Sequence, residues 1–199
     1  MDKIIGPESI NEPTFIKVET ISDDRGYLVP FTDYVDDSLF KRSYTVGDYG
    51  TGVIRGLHYH QLEWKVFTIA RGAAKFVTVR LEPEDVAMLI EKRDSHPLSS
   101  NEWWHTDTDT SNNLKRQILN DLFRDHIATK EIKPQTFVMS DRHHGVLVIP
   151  PYYANGWISL EDNTVLTSLS SLRFEDAKND DFRLSPEIVD VSNWETIGR

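Results

Sequence analysis

The sequence contains no cysteine. This absence excludes disulfide bonds, thiolate nucleophiles and cysteine-based zinc sites, and it is typical of cytoplasmic proteins. The sequence also has no apolar run of the length that a membrane span requires. Its first residues, MDKIIGPESINEP, lack the apolar core and cleavage site of a signal peptide. We therefore expect a cytoplasmic protein that does not insert into a membrane.

Positive charge is scarce as well. The chain carries 22 lysine and arginine residues against 32 aspartate and glutamate residues, which gives a formal net charge of −10. Such an excess of negative charge disfavours nucleic acid and anionic membranes as partners. It remains compatible with a local basic pocket for a phosphorylated ligand. The 199 residues suit one domain spanning residues 1–199.

Short apolar runs separated by turn signals dominate the chain outside its middle. Several short strands in this pattern predict an all-β sandwich or barrel. The turns between the later strands are predicted at PPYYANGW and EDN. The strand candidates are TFIKVETI, GYLVPF, GVIRGLHYH, KVFTIARG, AAKFVTVRL, TFVMS, GVLVIP and TVLTSLSSL.

The segment from about residue 84 to residue 136 breaks this pattern. Its stretch NNLKRQILNDLFRDHIATK has apolar residues at helical spacing after an asparagine cap. An earlier stretch, PEDVAMLIEKR, fits either a helix or a strand edge. We therefore predict a β-barrel domain with an insertion that carries one helix.

One stretch of the predicted barrel contains several candidate functional side chains. It is GVIRGLHYHQLEWKVFTIARG, from Gly52 to Gly72. His58 and His60 lie one residue apart in a predicted strand, so both imidazoles should point to the same face. Three interpretations are open, namely a metal site, an acid–base site, or two polar residues on a solvated face.

The spacing of this stretch matches the first motif of the cupins, which are small double-stranded β-helix (jelly-roll) barrels. Gly52, His58, His60 and Gly72 fall into register, but Lys65 stands where the motif has a glutamate ligand. A lysine ammonium has no lone pair and would repel a divalent ion. Asn155 stands where the second motif would supply a further histidine. We therefore predict no bound metal.

Histidine with a nearby lysine suits a different reaction. An unperturbed histidine can take a proton at neutral pH, and a lysine ammonium can stabilise a developing oxyanion. Together they can abstract a proton next to a carbonyl and hold the enolate. Arg55 offers a bidentate donor for phosphate. The alternative for Lys65 and Arg55 is the solvated surface charge that such residues usually carry.

The chain resembles the dTDP-4-dehydrorhamnose 3,5-epimerase family of cupins. The resemblance rests on Arg55-Gly56-Leu57-His58-Tyr59, Lys65, Arg71-Gly72, Ile149-Pro150, Gly156-Trp157 and the early turn Asp24-Arg25-Gly26. It implies a metal-free enzyme without a nicotinamide cofactor, acting on nucleotide-linked 4-keto-6-deoxyhexoses in deoxysugar biosynthesis for cell-surface polysaccharide. It also implies a homodimer with exchanged N-terminal strands.

The same resemblance assigns roles to residues. It implies His58 as the catalytic base, Lys65 as the enolate stabiliser, and Arg25 and Arg55 as ligands of the diphosphate. His60, Asn155 and Tyr153 are the further candidates for binding substrate. Leu28 and Pro30 replace the family's nucleobase contacts, so dTDP, CDP and GDP all stay open.

Three departures from the family bear on the reaction. Ser168 stands at the position of the family's tyrosine, which donates a proton from the face opposite the base. Ser185 stands before Pro186 where the family has the aspartate that orients the base, and His60 replaces a glutamine. A serine hydroxyl is a far weaker acid than a phenol. We therefore expect epimerisation at C3 alone, with Tyr152, Tyr153, His60 or water as the donor.

Two alternatives to an epimerase stay open. The nucleotide-sugar 3,4-ketoisomerases are related cupins that carry His-x-His after an Arg-Gly pair, as this chain does. A binding module that keeps the pocket without turnover is the second alternative.

Overall fold

Two five-stranded antiparallel sheets pack against each other and form the barrel in the computed structural model, which describes residues 4–196. The first sheet has the order β1-β9-β6-β11-β4, and the second has the order β12-β5-β10-β7-β8. β2 and β3 form a separate hairpin. The strands are β1 Thr14–Lys17, β2 Ile21–Asp23, β3 Gly26–Leu28, β4 Arg42–Gly47, β5 Ile54–Tyr59, β6 Lys65–Arg71, β7 Ala73–Arg80, β8 Gln135–Ser140, β9 Gly145–Ile149, β10 Tyr153–Ser159, β11 Val165–Ser170 and β12 Phe182–Arg183.

The insertion lies between β7 and β8, as expected, but it contains two long helices where one was predicted. α1 spans Pro83–Asp94 and α2 spans Asp109–Thr129, and a short α3 spans Phe174–Lys178 after β11. Pro83 in the first turn of α1, followed by two acidic residues, favours a helix start. No helix within residues 4–196 is long and apolar enough to cross a bilayer. Short 3₁₀ turns cover Asp37–Leu39, Pro97–Ser100, Glu102–His105, Pro186–Ile188 and Val191–Asn193.

Helices α1 and α2 cover the outer face of the second sheet. Val86 and Leu89 of α1, with Phe123 of α2, join a buried cluster with Val77 and Val79 of β7. The second sheet is therefore enclosed on both faces, since its inner face lies against the first sheet. Strands enclosed on both faces lose the alternation of apolar and polar residues.

This enclosure explains one wrong prediction. The turn predicted at PPYYANGW occupies only Pro151 and Tyr152, and the rest of that stretch belongs to β10, whose seven residues Tyr153–Ser159 are all buried. The Asn155-Gly156 pair resembles a turn signal in sequence, but here both residues lie within a central strand. Strand β4 was not predicted from the sequence, although its residues alternate between half-buried and exposed.

Aromatic side chains hold the two sheets apart. Phe67 of the first sheet contacts Phe76 of the second at a ring-centroid distance of 5.2 Å, and Phe76 contacts Trp157 at 6.5 Å. This aromatic trio belongs to the buried cluster between the sheets. Phe67 and Trp157 also line the cavity that opens beside it.

A close approach of two glycines shapes β5. Gly56 has φ +118°, and a Cβ placed on it would lie 2.6 Å from Gly156 Cα in β10. The register between these strands shifts between Asn155 and Trp157. Arg55 and His58, three residues apart, would face opposite sides of a regular strand, but here both line the cavity.

The turn between β5 and β6 is fixed by one side chain. The buried Asp180 carboxylate accepts hydrogen bonds from three successive backbone N–H groups, those of Gln61, Leu62 and Glu63, at 2.9, 3.0 and 2.8 Å. These donors satisfy a carboxylate that would otherwise be costly to bury. Asp180 therefore determines where His60 and Glu63 lie.

We expect Asp180→Ala to destabilise the fold by roughly 2–4 kcal/mol, because three backbone donors lose their acceptor. Urea denaturation measures this loss. Asp107→Ala, at an exposed position in the insertion, is the matched control and should stay within about 0.5 kcal/mol of the wild type. Equal stability of the two variants would show that the turn does not depend on Asp180.

Candidate active site

A cavity of about 670 Å³ opens between the two sheets. The first sheet contributes side chains from β4, β6 and β11, and the second contributes side chains from β5 and β10. The chemically active groups on its walls are Arg42, Tyr44, Lys65, Arg55, His58, His60, Glu63, Asn155, Asp181 and Arg183. A volume of this size accommodates a small organic ligand.

His58 and His60 share the face that their spacing predicts. Their rings are nearly parallel, with an angle of 4° and a centroid separation of 6.5 Å, and both line the cavity. The expectation that both imidazoles point the same way is confirmed.

Asp181 orients His58. The Nδ1–H of His58 donates to Asp181 Oδ1 at 2.8 Å, which leaves Nε2 as the proton acceptor of the ring. This hydrogen bond holds the pKa of Asp181 well below its ordinary value, although partial burial opposes the shift. A carboxylate in this position fixes the tautomer of the imidazole and stabilises its protonated form.

Sequence reasoning missed Asp181. The orienting carboxylate was expected before Pro186, where Ser185 instead caps the 3₁₀ turn Pro186–Ile188 by accepting from the Glu187 N–H. The acid lies in the loop after α3, next to the β12 strand that pairs with β5. The one sequence signal is the Asp180-Asp181 pair, and only the pairing of β12 with β5 reveals its role.

Lys65 lies on the opposite sheet and is almost buried, with 8% of its side chain exposed. Its Nζ forms an ion pair with Glu63 Oε2 at 2.8 Å and donates to the Tyr44 hydroxyl at 3.2 Å. The ammonium is thus held between an anion and a phenol at the cavity wall. A cation in this place can stabilise negative charge that develops on a bound ligand.

His60 is a neutral hydrogen-bond acceptor. Its Nδ1–H donates to the Asp180 carbonyl at 2.9 Å, and its Nε2 has no hydrogen-bond partner within residues 4–196. Burial lowers the pKa of His60, and the nearby Lys65 ammonium lowers it further. The side chain is 5% exposed and Nε2 itself is buried, so its lone pair lies unpaired just beneath the cavity wall.

Tyr44 lies beside the serine that replaces the family's tyrosine. Ser168 pairs with Tyr44 of β4 on one side and with Phe67 of β6 on the other, so the three side chains share one face. The Ser168 hydroxyl is fully buried and does not line the cavity, whereas Tyr44 does. The phenol is one strand away from its expected position, and sequence reasoning missed it because β4 was not predicted.

Arg55 and Asn155 are cavity residues that also hold the structure. Arg55 forms an ion pair with the buried Asp48 and donates to the Gly47 carbonyl at 3.1 Å. Asn155 donates through Nδ2 to the carbonyls of His58 and Tyr153, both at 3.1 Å. These bonds tie the amide of Asn155 to β5, which carries His58, and to its own strand β10.

Two predicted binding residues lie away from the cavity of the described chain. Arg25 sits in the β2–β3 hairpin, where its side chain is 85% exposed and pairs with Asp23. Tyr153 is buried in the cluster between the sheets, and the Arg80 guanidinium lies 5.3 Å from its ring centroid.

Cations and one aromatic ring surround the cavity mouth. Phe174 of α3 is 59% exposed, with the Arg42 guanidinium 5.6 Å and the Lys178 ammonium 4.9 Å from its ring centroid. The exposed Arg183 also lines this rim. Within residues 4–196, no group of three or more histidine and carboxylate side chains is arranged to hold a metal ion.

Three solved structures with a similar fold are two sugar epimerases and a ketoisomerase. The dTDP-4-dehydrorhamnose 3,5-epimerase of Bacillus anthracis, solved with TDP and PPi bound, has a TM-score of 0.54 and 16% identity over 85% of this chain and 76% of that one. A 3′-monoepimerase of Streptomyces bikiniensis, in complex with dTDP-quinovose, has a TM-score of 0.56 and 16% identity over 94% and 74%. A 3,4-ketoisomerase of Helicobacter canadensis has a TM-score of 0.53 and 13% identity over 88% and 93%.

The chain has the cupin fold of these isomerases. The predicted all-β jelly roll with a helical insertion is therefore confirmed. No model of a known family matches the sequence, and no curated protein is significantly similar to it. At this identity the likeness establishes the fold, and the chemistry rests on the geometry of the site.

The buried neutral His60 predicts a pH-dependent stability. Its pKa in the folded protein lies below the ordinary value of 6.5, so below that pH the unfolded chain takes up a proton that the folded chain does not. Stability is therefore lost as the pH falls below about 6.5, by up to about 1.4 kcal/mol per pH unit from this residue. Urea unfolding at several pH values should show a shallower decline for His60→Gln than for the wild type.

The control for this measurement is His105→Gln, which removes an exposed imidazole of the insertion. It should retain the contribution of His60 and fall as steeply as the wild type. Parallel profiles for the wild type and His60→Gln would contradict the assignment.

Proposed function

We propose that this protein is a metal-independent isomerase that epimerises a nucleotide-linked 4-keto-6-deoxyhexose at C3. The observation that carries the proposal is the His58–Asp181 pair facing Lys65 and Tyr44 across one cavity. The cupin fold shared with nucleotide-sugar epimerases supports it. The proposed setting is deoxysugar biosynthesis in the cytoplasm.

His58 removes the proton. Its Nδ1 is occupied by Asp181, so Nε2 accepts the proton from C3, which is acidic because it adjoins the C4 ketone. Asp181 stabilises the imidazolium that results. The electron pair of the C–H bond moves into the C3–C4 bond, and negative charge develops on the C4 oxygen.

Lys65 stabilises that oxygen from the opposite sheet. In a cavity of low dielectric constant, a fixed ammonium stabilises an oxyanion far more than it does in bulk solvent. The base and the cation come from different sheets, so a sugar ring bound between them is addressed from both sides.

Tyr44 returns a proton to the other face. A phenol on the wall opposite His58 supplies the acid that Ser168 cannot, and Lys65 compensates the charge on the phenolate that forms. Return to the opposite face inverts C3. His60 also lines the cavity, and a small rotation of its ring brings the buried Nε2 within reach of a sugar hydroxyl beside the reacting carbon.

The cavity mouth binds the nucleotide part. Arg42, Arg55 and Arg183 supply donors for a diphosphate, and the exposed Phe174 offers a stacking surface for a nucleobase. This cluster of cations gives an acidic protein a basic pocket. TDP and dTDP-sugars occupy solved proteins of this fold.

We propose a homodimer with exchanged N-terminal strands as the working form. The β2–β3 hairpin is exposed in every residue, including Ile21, Tyr27 and Leu28. Against a second copy, this hairpin would bury apolar surface and bring Arg25 to the partner's diphosphate. Sedimentation at several protein concentrations tests the dimer, and a monomer at every concentration would refute it.

A 3,4-ketoisomerase is the second candidate, and one observation favours it. The imidazole rings of His58 and His60 lie on the same wall of the cavity, which suits transfer of a proton from C3 to C4 on one face of the sugar. A 3,4-ketoisomerase shares the fold. In that reaction the carbonyl moves to C3, whereas epimerisation leaves it at C4.

Incubation with dTDP-, CDP- and GDP-linked 4-keto-6-deoxyhexoses in deuterated water distinguishes these reactions by NMR. We expect deuterium at C3 with an inverted centre and the ketone still at C4. His58→Asn should slow this exchange by about 10²- to 10⁴-fold, because the base is lost. A 3-keto product would establish the ketoisomerase, and thermal stabilisation by a nucleotide sugar without any exchange would indicate a binding module.

Tyr44→Phe separates the two halves of the reaction. The base remains, so deuterium should still enter at C3, while the yield of inverted product should fall by about tenfold or more because the opposite-face acid is gone. The ratio of inversion to exchange, read by NMR, is the measurement. Ser168→Ala is the matched control on the adjacent strand and should keep the wild-type ratio; a wild-type ratio in Tyr44→Phe would remove Tyr44 from the mechanism.

A further inference from the structure

Glu63 is a buried carboxylate to which the proposed reaction assigns no role. Its side chain is fully buried and lies at the wall of the cavity. Oε1 accepts a hydrogen bond from Arg42 Nη2 at 2.9 Å and another from the Ser170 hydroxyl. Oε2 lies 2.8 Å from Lys65 Nζ and 3.2 Å from His60 Nδ1. One carboxylate thus contacts four side chains, three of which line the cavity.

The charges around Glu63 are arranged to keep it ionised. Burial alone raises the pKa of its carboxyl group, but the Lys65 ammonium and the hydrogen bonds from Lys65 and Ser170 outweigh burial and hold the pKa below its ordinary value. The ionised carboxylate in turn offsets the charge of two nearly buried cations, Arg42 and Lys65. Without it, both cations would lie unpaired in the same apolar surroundings, which proteins avoid.

The same contacts fix the direction of Lys65. The side chain of lysine is flexible and its ammonium is a point charge, so a lysine needs partners to hold one position. Glu63 is at 2.8 Å on one side of Nζ and Tyr44 is at 3.2 Å on the other. The backbone N–H of Glu63 is itself bound to Asp180, so this anchor belongs to the same fixed turn.

We infer that Glu63 is the positioning residue of the site, whose buried carboxylate holds the Lys65 ammonium against Tyr44 at the cavity wall. Glu63 lines the cavity together with Arg42, His60 and Lys65, and it acts on the reaction through the Lys65 ammonium that it holds. This inference rests on the proposed function for its catalytic consequence, but the placement of Lys65 is a property of the protein alone.

The placement is tested by NMR on protein labelled with nitrogen-15 in its lysine side chains. The wild type should show a slowly exchanging ammonium signal that is missing in Lys65→Met, which assigns it to Lys65. In Glu63→Gln, which keeps the shape but loses the charge, that signal should vanish or shift as the ammonium loses its anion. Ser170→Ala removes a neutral donor to Glu63 and leaves both ion pairs, so it should keep the wild-type signal.

If Glu63→Gln alone does not fold, the double variant Arg42→Met/Glu63→Gln is measured instead. This variant removes one buried cation together with the anion. It should also lose the Lys65 signal. An unchanged signal in either folded variant, at the same shift and exchange rate, would overturn the inference.

Kinetics then test the consequence for the reaction. Glu63→Gln should lower kcat for deuterium exchange by about tenfold or more and change KM by no more than about twofold, because the amide oxygen of glutamine can still accept from Arg42, whereas the charge that pairs with Lys65 is lost. An unchanged kcat would refute the positioning role. If the wild type exchanges no deuterium on any substrate, the proposed function fails, while the ammonium signal still decides whether Glu63 places Lys65.

Discussion

The Asp180 carboxylate accepts hydrogen bonds from three successive backbone N–H groups, and the candidate site depends on this interaction. It fixes the turn between β5 and β6, and with it the positions of His60 and Glu63. The next residue, Asp181, holds His58. Two adjacent acids therefore serve different purposes: one shapes the backbone and the other orients His58. A single segment after α3 links the cavity wall that carries His58 to its supporting turn.

The electrostatics of the cavity follow from this frame. The chain is acidic as a whole, yet its cavity carries four basic side chains at the mouth and a lysine inside. Two of these cations are matched by buried acids, Arg55 by Asp48 and Lys65 by Glu63. Such pairing keeps the cations in fixed places, so they are organised before a ligand arrives.

The fold and about half of the residues of the candidate site could be predicted from the sequence, for physical reasons. The strand β5 carries its histidines two residues apart, and strand geometry alone places them on one wall. The residues that were missed, Tyr44 and Asp181, reach the cavity only through the pairing of β4 with β11 and of β12 with β5. The periodicity of a segment does not show which distant segment it will pair with. The predicted turn was extended into β10 because enclosure on both faces removes the alternation that marks a strand.

The aromatic trio between the sheets has a consequence for how the site tolerates change. Phe67, Phe76 and Trp157 act as a spacer whose thickness sets the gap between the wall with His58 and the wall with Lys65. Substrate range is then a matter of core volume as well as of contacts. Because Phe67 and Trp157 line the cavity, a smaller side chain at either position enlarges it without altering a single polar group, so repacking of the interior is a route to new substrates.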